Sequence, residues 1–449
     1  MTIQEQLDAT GHARVVVVLK PTKKKREGVH MSLALAETIS LQQEAARTLE
    51  KFFKPFPNSR TAILARETAT TPIGRMGKSV VRAAASITEP LSSALYTSDP
   101  NAAAVHENEG LRYFPNLGIL FGTADQEGIK RLLSHTSEVS ALFSPPEMSL
   151  IHPVEEAALA GPNPGNSWAL ERLRIPALWD KGLTGEGILI GHLDTGVDST
   201  HPALNAAVDS YAEFDSIGRL VADAPIADSG FHGTHTAGIL VGRPYQGVIF
   251  GVAPGAKLAT GTVIEYGDTP ARVIAGLDWC VGQGVRVVNL SLGVRQYEPQ
   301  FSRIFQVLRQ RNVLPVAAIG NEGAQTSRTP GNLPEVLSVG AIDETDQIWF
   351  NSSSQQLAET HKRIVPTVIA PGVTIWSSVP NGGLRGYSGT SMAAPHIAGF
   401  AALLMQYRPE ATVDQIEKAI LAACTRPRTI STLRGNKGVP DAAEALRKL

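Results

Sequence analysis

From Trp168 onward, apolar runs near residues 188, 257, 285, 313, 336 and 364 alternate with helix-period segments near 234, 271, 299, 391 and 412. Parallel strands need a crossover between them, and the crossover is usually a helix. Strict alternation therefore predicts an α/β fold with a doubly wound, mostly parallel sheet. Strands of such a sheet are covered on both faces and read as continuous apolar runs, as Ile188-Leu189-Ile190-Gly191-His192-Leu193 does. Ligand crevices of open parallel sheets lie at the carboxyl ends of the strands, so Asp194, the first residue past this run, is where chemistry is sought first. Gly185-Glu186-Gly187 precedes its strand instead of following it, which excludes a dinucleotide-binding fingerprint.

Two further segments carry chemistry. Phe231-His232-Gly233-Thr234-His235 opens a small, apolar, helix-like run, with Gly230 and Gly233 allowing a tight turn and close approach. Gly389-Thr390-Ser391-Met392-Ala393-Ala394-Pro395 places a serine at the mouth of a second such helix. A serine hydroxyl is a poor nucleophile at neutral pH and needs a base within hydrogen-bond reach. Histidine suits that task, and a carboxylate must then hold the imidazole. The chain order Asp, His, Ser is one of the known solutions to serine-nucleophile hydrolysis. Taken alone, a Gly-Thr-Ser or a His-Gly is a common loop sequence; the combination in one order carries the reading. His235, His192 and His201 are expected to be packed or hydrogen-bonded structural residues. Asp198 is expected to cap a turn.

These segments, Asp194-Thr195-Gly196-Val197-Asp198, His232 to Gly238 and Gly389 to Pro395, resemble the three signature blocks of the subtilisin-like serine proteases, in that family's order. The resemblance implies a triad of Asp194, His232 and Ser391. Ala318-Ile319-Gly320-Asn321-Glu322-Gly323 is similar to the block that supplies a side-chain amide to the oxyanion hole, so Asn321 is expected to serve there with the Ser391 N–H. By the same resemblance Ser291, Leu292 and Gly293 form one wall of the pocket for the residue before the scissile bond, and Ala318, Ile319 and Gly320 form the other. Peptide or protein substrates would add a strand to that edge. An ordinary core strand explains the apolar half of Val285 to Gly293 equally well. Arg328 falls near the pocket floor; it is expected to be a solvated loop residue, with a preference for acidic side chains as the alternative. Many members of the family bind calcium. The corresponding runs here, His201-Pro202-Ala203-Leu204 and Arg243 to Gly247, offer few hard oxygen ligands, so no tight calcium site of that type is expected and no cofactor is implied.

Ahead of the enzyme-like region, residues 14 to 20 read as a strand. Leu35, Ile39, Ala45, Leu49 and Phe52 recur at helical spacing before Pro55 and Pro57, and a poorly patterned stretch follows from about 56 to 110. Leu117 to Phe121 reads as a strand, Thr123 with Gln126 as a capping-box helix start through Leu133, and Val139 to Phe143 as a last strand. This order resembles the small α+β, ferredoxin-like propeptide domain that many subtilases carry. The resemblance implies a propeptide serving as intramolecular inhibitor and chaperone over residues 1–150, a linker with the processing site over 151–167, and a catalytic domain over 168–449. The Pro/Ala/Gly-rich stretch Pro153 to Asn166 would pass through the cleft and be cut. A generic α+β domain with another binding role is the alternative.

Composition closes off other classes. With 449 residues, 43% of them hydrophobic, the chain can bury a large core. A net charge of −1 gives no global field toward nucleic acid or membranes. Lys20-Pro21-Thr22-Lys23-Lys24-Lys25-Arg26 is read as a solvated loop. Two cysteines, Cys280 and Cys424, cannot build a disulfide framework. No apolar run approaches the roughly 18 residues of a membrane span. No basic-then-apolar leader is visible at the N-terminus, so a cytoplasmic location is expected, with secretion by another route open. Three rivals to a peptidase are a non-catalytic binding protein on this fold, an acid-adapted relative with a glutamate base, and an esterase, whose Gly-x-Ser-x-Gly elbow is absent around Ser391.

Overall fold

The structure is a computed structural model that describes residues 2–20, 31–54, 111–155, 162, 164–215, 217–264, 267–358 and 363–449. The chain forms two compact units: Met1–Glu147 with Asp215–Ala222 and Tyr266–Trp279, and the remainder.

The first unit opens with α1 (Ile3–Thr10), followed by β1 (His12–Leu19), α2 (Met31–Glu50), β2 (Leu111–Phe114), β3 (Ile119–Asp125), α3 (Gln126–Ser134) and β4 (Val139–Phe143). The strands form one antiparallel sheet in the order β2-β3-β1-β4, the ferredoxin-like arrangement. The β-branched run in β1 drives it: Val15 and Val17 pack with Leu49, Leu120, Ile129 and Leu132. Val16 and Val18 on the other face are buried too, which is why the run is continuous and not alternating. Two local readings are corrected. α3 is capped by Asp125, whose carboxylate accepts the Gly128 N–H at 2.8 Å, while Thr123 stays buried in β3. α1 was not anticipated, although its Thr2-x-x-Glu5 capping box is a sequence signal for it. Most of the Lys20–Arg26 run and the whole 56–110 stretch lie outside the described residues.

In the second unit, short strands β5 (Ser149–Leu150) and β6 (Val154–Glu155) precede β7 (Leu189–Asp194), β8 (Val208–Phe214), α4 (His232–Val241) and β9 (Lys257–Thr262). Next in this unit come β10 (Val287–Leu290), β11 (Leu292–Arg295), β12 (Leu314–Ala318), β13 (Leu337–Ile342) and β14 (Val368–Pro371). The hairpin β15 (Ile375–Val379) and β16 (Gly383–Ser388) then leads to α5 (Thr390–Tyr407). Parallel pairing runs β8-β9-β7-β10-β12-β13-β14, a doubly wound α/β sheet. α5 is apolar all round and buried to match. Its small Ala393, Ala394, Ala398 and Ala401 share one core with Val316, Val339 and Ile369 of the sheet.

The strand expected near 364 is displaced. Arg363–Val365 pairs antiparallel with Gln355–Leu357, and Val368–Pro371 is the strand that joins the sheet. The helix expected near 299 starts at Ser302, after a 3-10 turn over Pro299–Phe301. β8 and the β15–β16 hairpin were not anticipated.

Candidate active site

β7 ends at Asp194 and α4 begins at His232. Two glycines allow those ends to touch. A Cβ on Gly233 would lie 2.0 Å from the Gly196 carbonyl oxygen. Gly196 itself sits at φ +116°, where a Cβ would lie 2.1 Å from the Ala227 oxygen. In consequence the His232 Nδ1 reaches the Asp194 Oδ1 at 2.7 Å, with both side chains buried. The same Oδ1 accepts the Thr195 N–H at 2.8 Å, and Oδ2 accepts the Thr236 hydroxyl at 3.2 Å. Burial alone would raise the Asp194 carboxyl. The imidazole beside it and these hydrogen bonds prevail and hold it below the usual carboxylate range. The other His232 nitrogen, Nε2, is buried without a hydrogen-bond partner among the described residues.

Asp228 braces this junction. It accepts the Thr195 hydroxyl at 2.7 Å, the Gly230 N–H at 3.0 Å, and the Thr234 N–H and hydroxyl at 2.8 and 2.5 Å. An acidic residue just before a Ser-Gly helix entry is the signal that could have found it.

Ser391 is held by the consequences of a proline. Pro395 has no N–H to give the carbonyl four residues earlier, so the Ser391 carbonyl is free to accept the Ser291 hydroxyl at 3.1 Å. The Ser391 hydroxyl points the other way and donates to the Ile151 carbonyl at 2.7 Å. Asn321 lies beside it: its Oδ1 accepts the Thr390 N–H and hydroxyl at 2.9 and 2.8 Å, and its Nδ2 donates to the His152 carbonyl at 2.9 Å. Fixing Oδ1 also fixes where the amide nitrogen points.

Residues 149–155 run past these groups as an added strand. Ser149 pairs with Gly293 and Leu150 with Leu292, and the Ile151 N–H donates to the Ser291 carbonyl at 3.2 Å. Val154 and Glu155 then pair with Ser388 and Tyr387. The Ile151 side chain is fully buried and shares a core with Ala318, whereas Ile319 turns away to pack with Leu357 and Val365. The stretch along the site thus begins before Pro153, and of the expected Pro153–Asn166 passage residues 156–161 and 163 lie outside the described residues.

Arg328 is a correction: it is 4% exposed, not solvated. Its Nε donates to the Glu322 Oε1 at 2.9 Å and its Nη1 to the Ser149 hydroxyl at 3.0 Å. Glu322 cancels the charge that made Arg328 a candidate for acidic side chains. Burial pushes the Glu322 carboxyl up, but Arg328 more than offsets this, and it stays below its ordinary value.

His192, His201 and His235 are each held by a hydrogen-bond partner. His192 Nε2 lies 2.8 Å from the Thr236 hydroxyl, His201 Nε2 lies 2.9 Å from the Gly383 carbonyl, and His235 Nε2 lies 3.0 Å from the Arg385 carbonyl. Asp198 accepts the Thr200 and Asn381 N–H groups at 3.0 and 2.9 Å, a turn-capping role. Among the described residues, no helix is long and apolar enough to cross a membrane, and no cluster of three or more His, Cys, Asp or Glu is gathered for a metal. Cys280 and Cys424 are both free thiols.

A sequence profile of the Subtilase family matches residues 185–441. The chain is 31% identical to subtilisin E of Bacillus subtilis over 266 residues, covering 58% of this chain and 66% of that one. It is 31% identical to the subtilisin of Bacillus pumilus over 266 residues, 58% of this chain and 91% of that one. With the M-protease of Shouchella clausii it shares 33% over 290 residues, 64% and 72%. The match thus spans about two thirds of the length of subtilisin E. On these matches, the chain belongs to the subtilase family, the subtilisin-like serine endopeptidases.

Proposed function

We propose that this chain is a serine endopeptidase, made as a self-inhibited precursor that cuts itself and then acts on other proteins or peptides. Ser391 attacks the carbonyl carbon. His232 accepts the hydroxyl proton at Nε2 and passes it to the leaving amine, while Asp194 holds Nδ1–H and stabilises the imidazolium. The oxyanion is received by the Asn321 Nδ2–H and the Ser391 N–H, with Ser291, Leu292 and Gly293 presenting the substrate backbone. Residues 1–150 act as inhibitor, 151–167 as the processed linker and 168–449 as the catalytic domain.

The observation that carries this reading is the Ser391 hydroxyl bonded to the Ile151 carbonyl of a segment laid on β11 as a substrate strand would be. A nucleophile occupied by its own chain is blocked until that chain moves. The test is Ser391→Ala in the full chain, assayed on casein and by intact mass. The reading expects no hydrolysis, a loss on the order of 10⁶ in kcat, and an uncut polypeptide. The kcat magnitude comes from subtilisin itself. Normal processing of Ser391→Ala would assign the cut to another protease, and retained hydrolysis would leave this fold with a different nucleophile.

A further inference from the structure

Building on that reading, we infer that the bond presented for self-processing is Ile151–His152, and that the pocket ahead of the scissile bond takes an aliphatic side chain. Three observations fix the register. The pairs Ser149–Gly293 and Leu150–Leu292 continue into the Ile151 N–H donating to the Ser291 carbonyl, so the ladder along β11 ends at Ile151. The Ile151 side chain is fully buried in the core it shares with Ala318, while the next side chain, His152, is exposed. The carbonyl within hydrogen-bond reach of the Ser391 hydroxyl is that of Ile151.

One contact favours the next bond instead, since Asn321 Nδ2 donates to the His152 carbonyl. Cleavage there would require the proline nitrogen of Pro153 as leaving group. That nitrogen carries a ring carbon where an ordinary amide carries hydrogen, and the ring crowds the side from which the imidazole must deliver a proton. The His152 side chain is exposed. The Asn321 contact is better explained as a guard. While the His152 carbonyl occupies the amide, the Ile151 carbonyl lacks its side-chain oxyanion donor, and the bond beside the nucleophile survives. Reaction requires the two carbonyls to exchange places at Asn321.

Once exchanged, the Ser391 Oγ bonds to the Ile151 carbonyl carbon and its proton moves to His232 Nε2. The C–N bond to His152 then breaks, and that nitrogen takes the proton to become a free α-amine. Water attacks the Ile151 ester, one of its protons passes by way of His232 to the Ser391 oxygen as the ester C–O bond breaks, and Ile151 leaves as a carboxylic acid that gives its remaining proton to solvent.

The test is intact-mass analysis and N-terminal sequencing of the purified full chain during incubation, beside Ser391→Ala, Pro153→Ala, Ile151→Val and Ile151→Asp. The expected first product begins His152-Pro153-Val154. Pro153→Ala, which makes the next bond an ordinary amide, should leave the cut after Ile151. Removing one methylene in Ile151→Val should slow the cut by about 10-fold, and placing a carboxylate in the apolar pocket in Ile151→Asp by about 100-fold or more. A Ser391-dependent first cut after His152 or within 156–166, or Ile151→Asp processed at the parent rate, overturns this register and leaves the peptidase reading standing. A chain that stays uncut, or is cut equally in Ser391→Ala, overturns both.

Discussion

Thr390 grips the carbonyl oxygen of the Asn321 side chain twice, through its N–H at 2.9 Å and its hydroxyl at 2.8 Å. The Thr390 hydroxyl also accepts the Gly320 N–H at 3.2 Å, so one residue at the start of α5 sets the rotamer and the flip state of the amide on the neighbouring loop. Pre-orientation of a donor matters because an oxyanion forms only transiently and rewards groups already in place.

Thr390→Val keeps the shape and the N–H but loses the hydroxyl. The expected outcome is a kcat lowered by about 10-fold with KM little changed, since only a transition-state interaction is loosened. Asn321→Leu should cost roughly 100- to 1000-fold, a magnitude known from subtilisin itself. Thr390→Ser should restore most of the loss. Steady-state kinetics on a peptide anilide check all three, and a Thr390→Val that alters KM alone would remove Thr390 from this role.

Behind Asp194 lies a buried relay. Thr236 has one proton to give. His192 Nε2 lies 2.8 Å from its oxygen, and the acceptors in reach of that proton are the Asp194 Oδ2 at 3.2 Å and the His232 and Gly233 carbonyls at 3.1 and 3.2 Å. Burial holds the His192 imidazole below its ordinary pKa and therefore neutral, although Asp194 and Asp228 pull it up; the nearby His232 adds to the depression. Removing the relay leaves more negative charge on Asp194, which stabilises the His232 imidazolium. The acidic limb of the kcat/KM profile should accordingly move to higher pH in His192→Leu, and His192→Gln, which keeps a donor, should return it. The flanking groups His152, His235 and Asp228 are unchanged in these variants. An acidic limb unmoved in His192→Leu would make His192 a filler only.

Arg328 and Glu322 stabilise the pocket loop as a pair. Arg328→Met leaves a mostly buried carboxylate whose remaining partners are the exposed Arg295 at 3.5 Å, the Asn321 N–H at 3.0 Å and the Ser353 hydroxyl at 3.3 Å. Breaking a buried pair costs about 3–5 kcal/mol, and because the Glu322 side chain keeps 23% exposure, about 2 kcal/mol is expected. Urea unfolding of the variant in a Ser391→Ala background measures this. The double change Arg328→Met with Glu322→Gln should recover most of the stability.

Two buried histidines make the fold acid-sensitive. Burial pushes His235 down to about 3 and His396 to about 4, from 6.5 in an exposed chain. Between those values the unfolded state binds more protons than the folded one. Stability is therefore complete above about pH 6.5 and falls as pH drops, by up to about 1.4 kcal/mol per pH unit for each histidine. His396→Gln should flatten the dependence of the urea midpoint between pH 6.5 and 4.5 relative to the parent. Equal slopes would place the acid sensitivity elsewhere.

The fold class was legible in the alternation of apolar runs with helix-period segments, and the meeting of Asp194 with His232 in the resemblance of their two segments to signature blocks of the subtilisin-like proteases. Features that depend on distant partners were not. Arg328 was read as solvated because arginines usually are, and nothing in the chain announces that a loop will fold Glu322 against it. Pro395 was visible, but that its missing N–H frees the Ser391 carbonyl for Ser291 follows only from the helix register. Thr390, Thr236 and Asp228 act through hydrogen bonds to residues far away or around a turn, and their types are common in loops. β8 was overlooked because Val208-Asp209-Ser210-Tyr211 is only half apolar, as suits a strand away from the sheet centre.

The central claim is that Ser391 becomes a nucleophile once residues 149–152 leave it. A peptidyl phosphonate with an aliphatic residue next to phosphorus, incubated with processed and unprocessed protein and located by peptide mass spectrometry, tests this most directly. One adduct, on Ser391, should form in step with loss of peptidase activity and much faster after processing. Activity that persists without an adduct on Ser391, or an adduct on a different residue that tracks the loss, would contradict it.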